Sequence, residues 1–314
     1  MEGKTKKLSL RRRIIKDLVT NKWVYVMIIP VVAYFIMFKY IPMAWLAMGF
    51  YDFKLLKGFA GSKFVGLKHF IKFFTSSSFS TLFWNTIIFN FWAIIYQSIA
   101  PIILALLVNE VRRAKLRKAI QTISFLPYFV STVVIVSMLN NLLSPSTGLL
   151  NVFRRSLGME AVYYLGLPQY FRGVNYVSGV WQMVGWNSVV YISALTGIDQ
   201  QIYEAAIVDG ASRMQRMLRI TIPSITTTIA IMITLNVGNL IAGCNVEKVL
   251  LLQNDLNLSV AELLPTFVYK QGLVNGKYSY ATAVGMFTSV VSCLLVVVAN
   301  MFSKRLSNVE VGIF

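Results

Sequence analysis

The sequence predicts an all-α, polytopic membrane protein with six transmembrane helices, and three observations carry that reading. Apolar residues make up 56% of the 314 and charged residues only 13%, against about 25% charged in soluble domains. With a mean hydropathy of +0.64, such a chain must be solvated largely by lipid. Six apolar runs are long enough to span, because about 30 Å of hydrocarbon takes about 20 helical residues with every amide paired inside the segment. Finally, the basic residues behind the net charge of +18 cluster beside these runs, so they reflect membrane topology and not nucleic acid.

The first run, Trp23 to Phe50, follows a basic tail over residues 1–22. Lys39 and further apolar residues follow its first half, with no small-residue cleavage site, so it is expected to be a retained span and not a signal peptide. The others are Ser80 to Val108, Lys118 to Leu143, Gly173 to Gly197, Thr221 to Gly243 and Tyr280 to Phe302. Pro30, Pro42, Pro101 and Pro127 predict kinks in the first three, which spanning helices tolerate. The runs are continuous and not alternating, which argues against a β-barrel. Breakers mark the outer loops: Gly58, Gly61 and Gly66 in the first, Ser144 to Gly148 in the second and Asn275-Gly276 in the third. None is long enough for a folded domain. One six-helix domain over 23–304 is expected, followed by a C-terminal tail over 305–314.

Placing the N-terminus in the cytoplasm puts 18 of the 30 basic residues on the inner side, counting Lys118 at the start of the third run, as the positive-inside rule requires, and makes both termini cytoplasmic. The outer side carries the other basic residues, counting Lys39 within the first run, against Asp52, Glu160, Glu247, Asp255 and Glu262. That balance favours an anionic, uronate-bearing cargo by steering; contact with lipid headgroups accounts for the same lysines. Cys244 and Cys293 stand far apart, and the lone histidine, His69, lies in a lysine-rich loop. Buried thiols and a surface imidazole are expected, with no metal site or redox chemistry.

The most informative segment is the inner loop over 199–223, which contains EAAIVDGASRMQRMLRITIP from Glu204 to Pro223. Asp199 is placed to cap a short helix carrying Ile202, Ala206 and Ile207, which Gly210 ends with a left-handed or close-packed turn. Ser212 is placed to cap a second. There Met214, Met217, Leu218 and Thr221 share one face and Arg213 and Arg216 another, before Pro223 enters the fifth span. An amphipathic helix lying on headgroups has no need for Glu204, two small residues after it and a glycine six positions on. A protein socket requiring close approach does.

This pattern resembles the signature loop of ABC importer permeases, and EAAxVDGAS…ITxP resembles their carbohydrate-uptake branch. LNVGNL at Leu235 to Leu240, EKVLLLQN at Glu247 to Asn254 and YSYATAVG at Tyr278 to Gly285 are similar to polysaccharide-type permeases of Gram-positive bacteria. Ile222 stands where many relatives carry Leu. The resemblance implies the type I importer permease fold in a bacterial plasma membrane. It also implies a homologous second permease, commonly making a heterodimer, two cytoplasmic ABC ATPases, and an extracellular solute-binding lipoprotein that delivers an oligosaccharide. Glu204, Ala205, Ala206 and Gly210 are the positions expected in the ATPase cleft, with Asp209, Arg213 and Pro223 completing the coupling loop. The chain has no GxxxxGK[ST] pattern, so it is expected to hold no cofactor, ATP and magnesium belonging to the partner ATPases.

Polar and aromatic groups within the fourth and fifth spans are candidates for the substrate path. Gln182, Asn187, Asn236 and Asn239 offer amides for sugar hydroxyls, and Trp181, Trp186 and Tyr191 offer rings for sugar C–H faces. Interhelical hydrogen bonding is the other reading of Asn236 and Asn239, and the expected one for Asn85 and Asn90. Two other classes are weighed. An ion-coupled secondary transporter needs ionisable groups at mid-membrane, whereas the acids fall in loops or at span ends. A membrane enzyme needs paired acids, a metal cluster or an activated nucleophile.

Overall fold

The computed structural model describes residues 19–243 and 246–306, with side chains for all except 238–243, 299 and 302–306. The basic tail before residue 19, the tail beyond 306, Cys244 and the Asn239 side chain lie outside that description.

Helix α1, Lys22–Phe50, begins as regular α-helix, widens into a π turn over Ile36–Tyr40 and tightens to 3-10 over Ala44–Phe50. Pro42 accounts for the widening, because its ring displaces the carbonyl four residues back and it has no N–H to donate. None of the most apolar stretch of α1 is buried, as suits a helix facing lipid.

The first connecting segment, expected only as a loop marked by Gly58, Gly61 and Gly66, holds regular structure. It folds as a hairpin of β1, Tyr51–Lys54, and β2, Gly58–Phe64, with Tyr51 opposite Phe64. An isolated two-stranded hairpin is marginal, and α2, Lys68–Phe74, supports this one. His69 of α2 corrects the expectation of a surface imidazole: it is buried, its Nε2 3.2 Å from the Tyr51 carbonyl and 3.0 Å from Asp52 Oδ1. Lys68 donates to Asp52 at 2.8 Å and holds that carboxyl below its usual pKa.

Helix α3, Ser78–Asn109, runs uninterrupted through Pro101. The third apolar run is not one straight helix. α4, Ala114–Phe125, ends in a 3-10 turn at Pro127, and α5, Thr132–Leu143, leaves at 97°. The backbone is extended at Val130 and Ser131, and the Ser131 hydroxyl accepts from Val134 N–H, so a second helix starts there with its own cap. After α6, Leu149–Ser156, comes α7, Pro168–Thr196. Next are α8, Gln200–Val208, α9, Arg213–Ser224, and α10, Thr226–Gly243, the last two meeting at 61°. Three short helices follow, α11 Val246–Leu252, α12 Leu258–Ala261 and α13 Leu264–Tyr269, before α14, Tyr278–Leu306.

Among the described residues, α1, α3 and the Tyr278–Val298 part of α14 are each long and apolar enough to cross a membrane, and the bent pairs α4–α5 and α9–α10 raise the number to five. α7, at 29 residues, has the length. Its polar content, including Arg172, Asn175, Gln182 and Asn187, sets it apart from the apolar spans.

Helices in lipid are held by close packing and polar contacts more than by exclusion of water. α3 and α7 show both. Phe89 packs with Phe171 in one cluster, and Ala105 and Leu106 with Tyr191, Leu195 and Ile225 in another. Tyr176 Oη donates to the Phe89 carbonyl, Arg172 to Asn85 Oδ1, and Asn85 Nδ2 to the Ser259 carbonyl, so Asn85 joins elements as expected. At Gly185 the backbones of α4 and α7 meet: an added Cβ would lie 2.0 Å from the Ser124 carbonyl oxygen.

Candidate functional site

The loop between α7 and α10 folds as the sequence predicts, into two short helices around a glycine turn. Asp199 accepts from Gln201 N–H at 2.9 Å and starts α8. Gly210 has φ +77°; its N–H donates to the Ile207 carbonyl and that of Ala211 to the Ala206 carbonyl. This pair of bonds is a Schellman ending, which needs a left-handed residue at the position Gly210 occupies. Ser212 and Gln215 then form a reciprocal capping box at the start of α9.

Two features make the elbow stiff. Tyr203 Oη lies 2.9 Å from Thr221 Oγ1, a hydrogen bond joining α8 to the end of the loop. Met217 and Ile222 pack against the cluster of Ala105, Leu106, Tyr191, Leu195 and Ile225, so the loop rests on the ends of α3 and α7. Met217 and Thr221 turn inward while Met214 and Leu218 face out, so the single face expected for these four is split. A π turn over Met217–Thr221 accounts for the split, because it changes the angular step between those positions.

The opposite side is open. Glu204, Ala205, Asp209, Gly210, Arg213 and Pro223 are exposed and Ala206 is half-buried. Ile202, Ile207, Met214 and Leu218 are exposed among them, and Val208 is 87% exposed. A Cβ on Gly210 would touch nothing within 4 Å. The chain itself therefore asks only for a left-handed backbone there.

The expected path residues do not form one surface. Trp186 stacks on Tyr128 with ring centroids 4.2 Å apart and an interplanar angle of 7°, with Phe125 beside them. Trp181 lines an apolar groove of about 960 Å³ between α5 and α7, with Ser178, Met138 and Tyr170. Gln182 is buried, its Nε2 donating to the Val130 carbonyl at the α4–α5 break. Asn187 lines a small void with Tyr96 and Gln97 of α3. Asn236 Nδ2 reaches Ser98 Oγ at 3.5 Å, a bond between α10 and α3. Tyr191, 1% exposed, is enclosed in the cluster that supports the elbow. Asn90 makes no side-chain hydrogen bond among the described residues despite being buried. No described Asp or Glu is buried, so the mid-membrane acid expected of an ion-coupled transporter is not found among these residues.

Sequence reasoning missed Tyr128, Gly185 and Gln97, whose partners are distant in the chain, and Lys248, whose setting in the apolar run VEKVLLL marked it as unusual.

A family model described as "Binding-protein-dependent transport system inner membrane component" matches residues 97–308. The chain belongs to this family. The permease is 39% identical, over 98% of its length and 95% of the relative's, to the "Polygalacturonan/rhamnogalacturonan transport system permease protein YteP" of Bacillus subtilis (strain 168). It is likewise 39% identical to "Protein LplB" of the same strain, over 91% of this chain and 89% of that one. Among solved structures, it is similar to a chain of "a bacterial ABC transporter involved in the import of the acidic polysaccharide alginate". That likeness has a TM-score of 0.87 at 35% identity and covers 94% of this permease and 99% of that chain. A second structure, of the alginate transporter "in complex with alginate pentasaccharide-bound periplasmic protein", matches at TM-score 0.87 and 34% identity, over 96% of this permease and 100% of that chain. The chain is thus an ABC-type importer permease and a membrane protein.

Proposed function

We propose that this permease is one of two homologous translocation subunits of an ATP-driven importer in a bacterial plasma membrane, acting on oligosaccharides of acidic, uronate-bearing polysaccharides. An extracellular solute-binding lipoprotein delivers the sugar. The observation that carries this reading is the fold shared over nearly the whole chain with an alginate importer. The full-length relative named for polygalacturonan and rhamnogalacturonan points to the same carboxylate-bearing class of polymer.

In this reading both termini are cytoplasmic and two ATPases, which hold ATP and magnesium, close on the exposed side of the 199–223 elbow. Glu204, Ala205, Ala206, Asp209 and Gly210 sit in the ATPase cleft, with Arg213 and Pro223 on the second arm. The elbow's seat on α3 and α7 passes the motion to the spans. Trp181, Gln182, Trp186, Asn187, Asn236 and Asn239 face the path at some stage of the cycle, while Tyr191 anchors the elbow. The subunit itself catalyses no bond chemistry.

Uptake into cells carrying the complete importer tests this. Uronate oligosaccharides are expected to enter faster than neutral ones of equal length. Equal or faster entry of the neutral sugar would overturn the acidic assignment, and entry of neither would overturn the oligosaccharide one.

A further inference from the structure

Lys248 lies on α11, just beyond the fifth span, and is 1% exposed. Its Nζ has no hydrogen-bond partner and no ion-pair partner among the described residues. The side chain reaches toward the seam between α3 and α7. A Cβ built on Gly179 of α7 would lie 3.9 Å from Lys248 Nζ and 3.9 Å from Gln97 Nε2 of α3. The ammonium and the amide thus converge over bare backbone. Four residues before and three after Gly179, about one helical turn each way, Asn175 Nδ2 and Gln182 Oε1 are buried without partners. Gln97 also borders, with Asn187, a gap between α3 and α7 too narrow for a water molecule.

Burial pushes the lysine pKa down to about 8. A buried ammonium without a counter-charge is costly unless it is paired and hydrogen-bonded. The surrounding amides make it a mixed site: a cation for a carboxylate, and donors and acceptors for hydroxyls. A uronate residue presents both.

We propose that Lys248, with Gln97, Asn175 and Gln182 around Gly179, forms a binding site within the permease for the carboxylate and hydroxyls of a uronate residue. This inference rests on the oligosaccharide reading above and adds a selecting residue to it. Exposed lysines such as Lys54 and Lys63 act in water, where salt screens them, and serve to steer an anion. Lys248 acts where water is excluded.

The test is uptake by the complete importer of a uronate oligosaccharide and its carboxyl-reduced counterpart, with wild type and Lys248→Met, which keeps volume and removes charge. In wild type the acidic form is expected to be preferred, and Lys248→Met should cut the acidic-to-reduced uptake ratio about tenfold, the scale of one lost hydrogen bond to a charged group. An unchanged ratio in Lys248→Met, with wild type still importing the acidic form, would overturn this inference alone. Failure of wild type to import either form would overturn the underlying reading. If Lys248→Met does not reach the membrane, Lys248→Gln should lower the ratio where Lys248→Arg preserves it. Failure of all three to insert would assign the lysine to folding and overturn the proposal.

Discussion

Gly210 is free within its own chain, and in the proposed function it is constrained by another. Its φ of +77° costs a residue with a Cβ roughly 1–2 kcal/mol, with Asp and Asn among the better tolerated. Among the described residues no atom stands where a Cβ would go. Gly210→Asp is therefore expected to insert and fold, yet to lose copurification with the ATPases and, with it, uptake. Normal copurification would show that nothing seats against this turn. Gly185 is the opposite case, because its missing Cβ is required by Ser124 of α4. Gly185→Ala should destabilise the permease by about 1–3 kcal/mol, as overpacking does, read as a lower midpoint of heat-induced aggregation in detergent. The sequence marked Gly210, since the need for it is local. It could not mark Gly185, whose constraint comes from a carbonyl sixty-one positions away.

At the scale of elements, the 199–223 elbow was legible in detail because caps and turns are settled by residues three or four apart. Asp199, Gly210 and Ser212 all stand where their chemistry predicts, whereas Pro223, expected in the first turn of the fifth span, lies at the end of α9, before the 61° bend. The brace between Tyr203 and Thr221 was not legible, since it joins two helices across a turn. Removing a cap typically costs about 1 kcal/mol, so Ser212→Ala should leave α9 more easily opened. Hydrogen exchange of the Met214 and Gln215 amides is expected to quicken about fivefold, and an unchanged rate would mean that packing at Met217 alone holds the helix. A kink was expected in the third span at Pro127, but not its size, and the bend in the fifth was not expected, because hydropathy reports length and not direction. The 97° break depends on an extended Val130 and a fresh cap at Ser131, and the hairpin after α1 depends on pairing with α2.

For the whole molecule, the sequence conveyed the class, since continuous apolar runs leave a helical membrane protein as the sole workable solution. The path was less legible: amides suited to sugars are equally suited to joining helices, and the structure uses Asn85 and Asn236 in that second way. The mechanical reading joins these scales. In the proposed mechanism an exposed elbow, braced by Tyr203 and seated on the ends of α3 and α7, passes a push from the ATPases into the spans. Site-specific crosslinking tests this most directly. With Cys244 and Cys293 replaced by serine and Ala205→Cys introduced in the complete importer, a short bifunctional thiol reagent should join residue 205 to an ATPase subunit, with a yield that changes when ATP is added. Labelling of residue 205 from outside the cell, or absence of any ATPase adduct from an intact complex, would contradict the role assigned to this loop.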